Sequence, residues 1–273
     1  MKTNLKFLKS TSSEAESRPV VVFIPGGPCL SSKTLSGLEV LNRSFDVVFL
    51  DPPGTGGLPD IEKQDFNSVL GSMETELKSL RRPIILAGHS FGGYQAAKLV
   101  EINQTRYVGL ICLATPFLDE TYSGLVEQYT KYMTAELRAT EEKWTQNKTV
   151  ESMRDWLASY GALYFTEETI AQGKKLLLED KMSLQAFLGM STAVKDQEKL
   201  LKFLEASPIK KLFLAGEKDN LIPPSLLEKD ARTGGFEFHI LKDAAHFINL
   251  NQSETVARLI ENKFIDSKRG REP

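Results

Sequence analysis

One pentapeptide, Gly-His-Ser-Phe-Gly at residues 88–92, restricts the possible folds of this chain more than any other segment. It follows an apolar run at 84–87, which predicts a buried strand, and it precedes helical spacing at 92–103. The two glycines flank Ser90 where a Cβ would collide with the adjoining strand or helix. We therefore predict a sharp strand-to-helix turn, with the Ser90 hydroxyl exposed above a sheet.

Strand-like and helix-like segments alternate on both sides of a long helical stretch. The predicted strands are 20–24, 46–50, 83–87 and 107–114, and the helices between them are 34–42, 68–81 and 92–103. Such alternation is typical of βαβ units and a parallel sheet. From 117 to 207 the apolar spacing is helical throughout. We predict an α/β fold in which residues 1–116 and 208–273 form a doubly wound, mostly parallel sheet, with a helical insertion at 117–207.

Composition narrows the classes of partner. With 41% hydrophobic and 26% charged residues, the chain resembles an ordinary globular protein. Its net charge of −2 gives no electrostatic reason to expect nucleic acid as a partner. We find no apolar run long enough to span a membrane and no signal-peptide core, so we expect a cytoplasmic protein. Two cysteines, Cys29 and Cys112, predict neither a disulfide framework nor a metal cluster. We expect no metal or organic cofactor.

A serine hydroxyl becomes a useful nucleophile when a general base takes its proton. The chain has three histidines. His89 lies inside the pentapeptide, and we expect its side chain to point away from the Ser90 hydroxyl. His239 lies in a segment with strand alternation, which favours a place on a strand face or edge. His246 follows a short loop and precedes the predicted helix 253–264, so it is the preferred base.

Asp219 is the preferred acid, because it follows an apolar strand at the mouth of a turn. There it could accept the Nδ1 proton of His246 and orient the ring. Asp243, three residues before His246, and Glu217 are rivals for this role. The alternative is that Ser90 only caps a helix and Asp219 only forms a turn.

The chain resembles the α/β-hydrolase family over essentially its whole length. Its glycine-flanked serine, acid and base occur in the order of that family, each where a strand ends. A glycine-rich loop at 25–28 also follows the apolar strand 20–24 at the position of the family's oxyanion loop. The resemblance implies that the N–H groups of Gly27 and Phe91 form an oxyanion hole. It also implies that the insertion 117–207 is a cap that covers the triad and selects the substrate.

Within the family, the loop at 25–28 and residues 51–56 resemble the prolyl aminopeptidase branch and its esterase relatives. That branch usually has a histidine before the two glycines, a glycine after the following proline and a tryptophan after the serine. This chain has Pro25, Cys29 and Phe91 at those positions. We interpret the Asp-x-x-Gly-x-Gly pattern at 51–56 as a structural turn.

The predicted function is that of a serine hydrolase acting on a small carboxylic ester, amide or short peptide. Alternatives are a prolyl-aminopeptidase-like enzyme, a lyase or transferase that uses the same serine, and a ligand receptor with little turnover. Thioesters and lactones also stay open as substrates, as does the oligomeric state. Aromatic residues of the insertion could line the pocket, although each one singly is more often packing. They are Tyr122, Tyr129, Tyr132, Trp144, Trp156, Tyr160, Tyr164 and Phe165.

Overall fold

A computed structural model describes residues 5–7, 18–190 and 196–265, and its centre is a seven-stranded sheet. The strands are β1 (Leu5–Phe7), β2 (Val20–Ile24), β3 (Asp46–Leu50), β4 (Ile84–His89), β5 (Tyr107–Leu113), β6 (Lys210–Gly216) and β7 (Glu237–Leu241). Their order across the sheet is β1-β3-β2-β4-β5-β6-β7, and β1 pairs antiparallel with β3 while the other pairs are parallel. The predicted α/β fold with a mostly parallel sheet is confirmed.

Eleven α-helices accompany these strands in the described part of the chain. They are α1 (Phe66–Leu77), α2 (Phe91–Ile102), α3 (Asp119–Lys131), α4 (Ala135–Gln146), α5 (Val150–Ser159), α6 (Gly161–Tyr164), α7 (Ile170–Glu179), α8 (Leu184–Met190), α9 (Gln197–Ala206), α10 (Pro224–Thr233) and α11 (Ser253–Phe264). The helical stretch predicted at 34–42 is not one continuous α-helix. Two short 3-10 helices occupy the segment, Ser32–Leu35 and Leu38–Arg43, because Gly37 between them has a φ of 94° that an α-helix does not allow.

Helices cover both faces of the sheet, and an inner strand such as β2 is apolar on both sides accordingly. Along β2, Val20, Val22 and Ile24 belong to one core, and Val21 and Phe23 belong to the other. The first core includes buried side chains of α1, α2, α9 and α10, and the second includes those of α11 and the two 3-10 helices. This two-sided burial explains why β2 is a continuous apolar run without polar alternation.

Helices α3–α9 lie between β5 and β6 in the chain, where the sequence predicts a helical insertion. Asp230 of α10 connects the start of this region to the sheet domain. Its buried carboxylate accepts hydrogen bonds from the backbone N–H groups of Phe117 and Leu118 and from the Thr121 hydroxyl. Helix α9 packs on α2 and α10 beside the sheet. The division into a core domain and a cap at 117–207 stays a prediction.

No helix within the described ranges is long and apolar enough to cross a lipid bilayer.

Candidate active site

Ser90 occupies the turn between β4 and α2 in a conformation that L-residues rarely adopt. Its φ is 52° and its ψ is −123°, and its backbone N–H donates to the Leu113 carbonyl at 2.7 Å. A Cβ on Gly88 would overlap the backbone of Gly92, and a Cβ on Gly92 would overlap the Pro25 carbonyl. Ser90 precedes α2, but its side chain makes no capping hydrogen bond. The strained turn therefore leaves the hydroxyl available for other chemistry.

His246 and Asp219 form a buried hydrogen-bonded pair. The Nδ1 atom of His246 lies 2.9 Å from Oδ2 of Asp219. The other carboxylate oxygen of Asp219 accepts from the backbone N–H groups of Leu221 and Ile222, both at 2.9 Å. Asp219 thus forms the local turn with one oxygen and holds the imidazole with the other. A proton on Nδ1 leaves the Nε2 lone pair of His246 free to act as a base.

The two rival acids lie elsewhere. Asp243 is exposed and pairs with Lys218 at 2.6 Å, and this ion pair lowers the pKa of the Asp243 carboxyl. Glu217 is exposed and accepts a hydrogen bond from the Asp243 N–H at 3.1 Å. His239, the rejected base, lies on the edge strand β7 and contacts Glu237 at 2.8 Å. Among the candidate acids, Asp219 is the one that contacts His246.

Ser90 and His246 line one cavity of about 210 Å³ above the carboxyl ends of the parallel strands. Its walls come from the loops after β2, β5, β6 and β7, from the turn after β4, and from helices α3, α5, α6, α7 and α8. Gly27 and Phe91 are also lining residues. Among the residues that the structure describes, neither of their N–H groups has an acceptor. Two unused backbone donors therefore belong to the same cavity as the serine.

The family of this chain is identified by a family model that matches most of its residues, including those of the candidate site. Residues 21–259 match the model of the Alpha/beta hydrolase family, a range that includes Ser90, Asp219 and His246. The chain belongs to this family. No curated protein matches the chain.

Solved structures show the same fold at low sequence identity. An esterase from Thermogutta terrifontis aligns over 94% of this α/β-hydrolase and 92% of that chain, at 20% identity and a TM-score of 0.68. MenH from S. aureus aligns over 96% and 97%, at 20% identity and a TM-score of 0.70. The enol-lactonase from Burkholderia xenovorans LB400 aligns over 96% of both chains, at 13% identity and a TM-score of 0.71.

Four of the eight aromatic residues considered from the sequence line the cavity of this α/β-hydrolase: Tyr122, Tyr129, Trp156 and Tyr164. Some of the remaining four residues pack their rings directly against these lining residues. Trp144 stacks on Trp156 with ring centroids 5.7 Å apart, and Tyr160 meets Tyr129 edge-on at 4.7 Å. Helical periodicity could not divide the two groups, because it identifies only which face of a helix is buried.

His89 has a place in the site that sequence analysis missed. Its ring lines the cavity and lies 4.8 Å from the His246 ring, and its Nε2 donates to the His246 carbonyl at 3.0 Å. Neighbouring side chains on a strand normally point to opposite faces. The positive φ of Ser90 breaks that alternation at the end of β4, so the residue pattern carried no signal for this placement.

Because His89 is buried, it makes the stability of the fold sensitive to acid. Desolvation, reinforced by the nearby His246, lowers the pKa of His89 from 6.5 to about 3. Neutral His89 therefore stabilises the fold fully above pH 6.5, and this contribution is lost as the pH falls from 6.5 toward 3. We therefore compare the free energy of unfolding, measured by urea denaturation, at pH 7 and pH 4. Between these pH values, we expect that of the wild type to fall by about 3 kcal/mol more than that of His89→Gln. Equal losses in the two proteins would contradict this assignment.

The cysteines of this α/β-hydrolase are buried and protonated. Cys29 lines the cavity, and burial together with the nearby Asp180 raises the pKa of its thiol. Burial likewise raises the pKa of Cys112. Since the thiolate is the reactive form, neither cysteine is a good candidate nucleophile.

Proposed function

We propose that this α/β-hydrolase is a serine hydrolase that cleaves a small carboxylic ester or amide through an acyl-enzyme intermediate. The observation that carries the proposal is the shared cavity. Ser90, on a strained turn, and His246, held by Asp219 at 2.9 Å, both line it. A nucleophile, a base and a group that orients the base are the parts that acyl transfer requires.

In the proposed reaction, Ser90 Oγ attacks the substrate carbonyl while His246 Nε2 takes the hydroxyl proton. Asp219 accepts the Nδ1–H bond and stabilises the imidazolium that forms. The tetrahedral intermediate then collapses as His246 gives the proton to the leaving alcohol or amine. Water, deprotonated by His246, attacks the acyl-enzyme and returns the proton through the same ring to Ser90.

The negative oxygen of each tetrahedral intermediate needs preorganised donors. We assign this role to the N–H groups of Gly27 and Phe91, whose free hydrogens and cavity position support it. Phe91 is the first residue of α2, so its N–H belongs to the helix end where the partial charge is positive. That partial charge would strengthen the binding of an oxyanion.

The cavity favours an ester or amide over the prolyl-aminopeptidase alternative. An aminopeptidase must bind the charged α-ammonium group of its substrate, and a carboxylate normally provides that contact. Among the lining residues in the described part of the chain, none is Asp or Glu. An ammonium group buried there without a counter-ion would carry a large desolvation penalty. The lining residues from α3, α5, α6, α7 and α8 support a substrate-selecting role for the insertion at 117–207.

Covalent labelling tests the proposed nucleophile. A fluorophosphonate probe should add once per chain to wild type, and digestion followed by mass spectrometry should locate the adduct on Ser90. Ser90→Ala should take up no probe. Ser225→Ala, which removes an exposed serine on α10, is the matched control and should label like wild type.

Two outcomes would overturn the proposal. Labelling that survives Ser90→Ala would show that another group is the nucleophile. Labelling of Ser90 without turnover of any ester, thioester, lactone or aminoacyl arylamide would favour the receptor alternative. Product analysis in H₂¹⁸O separates hydrolysis from lyase or transferase chemistry, because hydrolysis places the heavy oxygen in the acid product.

A further inference from the structure

Two tyrosine hydroxyls meet in the wall of the active-site cavity. The oxygen atoms of Tyr129, on α3, and Tyr164, on α6, lie 2.8 Å apart. Both residues line the cavity that contains Ser90 and His246. Tyr164 is 5% exposed, and its backbone carbonyl accepts a hydrogen bond from the Phe247 N–H at 3.3 Å. This tyrosine pair is therefore fixed beside the loop that carries the proposed base.

The tyrosine pair has one hydrogen more than it uses. Each hydroxyl carries one hydrogen, and the bond between the two oxygens consumes one of them. No other acceptor contacts either hydroxyl among the described residues. Burial raises the pKa of Tyr129 to about 12 and that of Tyr164 well above 10, so both groups keep their protons near neutral pH. One O–H donor is thus left without a protein partner in the partly buried wall of the cavity.

The rest of the cavity wall contains no acidic residue, lysine or arginine among the described residues. Besides the two histidines and the hydroxyl groups, the lining residues are Gly, Pro, Cys, Leu, Phe and Trp, and among those the structure describes none is Lys, Arg, Asp or Glu. A charged substrate group here would lose its hydration without gaining a counter-ion. An unpaired O–H costs free energy as well, and an uncharged oxygen acceptor on the ligand would satisfy it. The cavity therefore complements a neutral, mainly apolar molecule with one acceptor oxygen.

We propose that the tyrosine pair selects uncharged esters whose otherwise apolar chain carries a second oxygen acceptor, such as a ketone or ether oxygen. This inference rests on the proposed serine hydrolase function, and it identifies the substrate class and the residues that select it. The second oxygen accepts the hydrogen that the pair leaves unused, while the ester carbonyl lies at Ser90.

Tyr122 provides a matched control within the same cavity. Its hydroxyl already donates to the Pro116 carbonyl at 3.4 Å. Tyr122→Phe therefore removes a lining hydroxyl that has a protein acceptor. The double variant Tyr129→Phe/Tyr164→Phe removes both hydroxyls of the pair. The double change is needed because either tyrosine alone could donate to the substrate after loss of the other.

The experiment compares esters that differ by one ketone oxygen. In the acyl arm, the pair is p-nitrophenyl 5-oxohexanoate and p-nitrophenyl hexanoate. In the alcohol arm, it is 4-oxopentyl butanoate and pentyl butanoate, and the two arms show which side of the ester faces the tyrosine pair. The measured quantity is the ratio of kcat/KM for the oxo ester to that for the alkyl ester, with Ser90→Ala as the blank.

We expect this ratio to fall by about three- to tenfold in Tyr129→Phe/Tyr164→Phe in at least one arm, and to stay at the wild-type value in Tyr122→Phe. A ratio that stays within twofold of wild type in both arms, or that falls equally in Tyr122→Phe, would overturn the inference. Comparing ratios removes any general effect of the substitutions on folding or on the catalytic groups.

Binding measurements separate this inference from the proposed function. Thermal shifts of Ser90→Ala with the same four esters report binding without turnover, and adding the double tyrosine change tests the tyrosine pair directly. Preference for oxo esters that depends on the tyrosines, without Ser90-dependent hydrolysis in wild type, would reject the hydrolase and keep the binding site. Ser90-dependent hydrolysis without that preference would reject the binding site alone.

Discussion

Replacing Ser90 with alanine is expected to lower kcat/KM for a small ester by at least about 10⁴-fold, because it removes the proposed nucleophile, the Ser90 hydroxyl. Binding in the cavity and the donors of Gly27 and Phe91 would remain, so a small residual rate above the uncatalysed reaction is expected. Ester hydrolysis with purified Ser90→Ala and wild type measures the effect. Alanine keeps a Cβ at the strained turn, so the backbone conformation has the same steric cost in both proteins.

If Ser90 and His246 act in the same step, removing both should cost no more activity than removing Ser90 alone. This comparison provides an internal check on the prediction. The double variant Ser90→Ala/His246→Ala should be no slower than Ser90→Ala, because a base has nothing to activate once the nucleophile is gone. His239→Ala, on the edge strand β7, should retain wild-type kcat/KM. A further large loss in the double variant would mean that His246 acts on a different nucleophile, such as a bound water molecule.

The position of the candidate site could be predicted from sequence, because the carboxyl ends of parallel strands lie on the same side of a sheet. Ser90, Asp219 and His246 follow β4, β6 and β7, which are not all consecutive in the chain. The carboxyl ends of these three strands nevertheless point to the same side of the sheet. Apolar runs and turn residues were sufficient to locate those strand ends. The helical insertion could be predicted for a similar reason, since strand alternation stops and resumes around it.

The finer choices depended on backbone geometry that residue types do not specify. Asp243 and Asp219 both lie in turns close to His246, and either could have oriented it. Asp243 has a φ of 58° and extends to Lys218, whereas Asp219 is buried against the imidazole. The cavity-lining role of His89 depended in the same way on the positive φ of Ser90. A single residue with a left-handed backbone conformation redirects the side chains around it. Sequence periodicity assumes regular backbone dihedral angles and therefore cannot predict such a change.

The lining of the cavity could not be predicted, because packing between helices decides it. Trp144 and Trp156 lie on α4 and α5 and stack on each other, but Trp156 is the one that lines the cavity. The hydroxyl contact between Tyr129 and Tyr164 joins residues 35 positions apart in the chain. Such contacts follow from how α3 and α6 meet, and helical periodicity identifies only which face of each helix is buried.

Asp219→Asn should lower kcat by about 10³- to 10⁴-fold while leaving the fold intact, because it reverses the tautomer of His246. The backbone N–H groups of Leu221 and Ile222, both 2.9 Å from Oδ1 of Asp219, require an oxygen at that position. In the asparagine variant the amide oxygen must occupy it, and the NH₂ group then faces Nδ1 of His246. Since an NH₂ group donates, Nδ1 becomes the acceptor and the proton moves to Nε2, which can no longer take the proton of Ser90.

Asp243→Asn is the matched control, because it makes the same chemical change at the rival carboxylate. Asp243 is exposed and pairs with Lys218, so this variant should keep kcat within about twofold of wild type. Ester hydrolysis measures kcat, and urea denaturation of each variant shows whether the fold persists. If Asp219→Asn kept wild-type kcat, orientation of His246 by Asp219 would be rejected. If Asp243→Asn showed the large loss instead, Asp243 would take the role of the acid, and the contact at 2.9 Å between Asp219 and His246 would have to be structural.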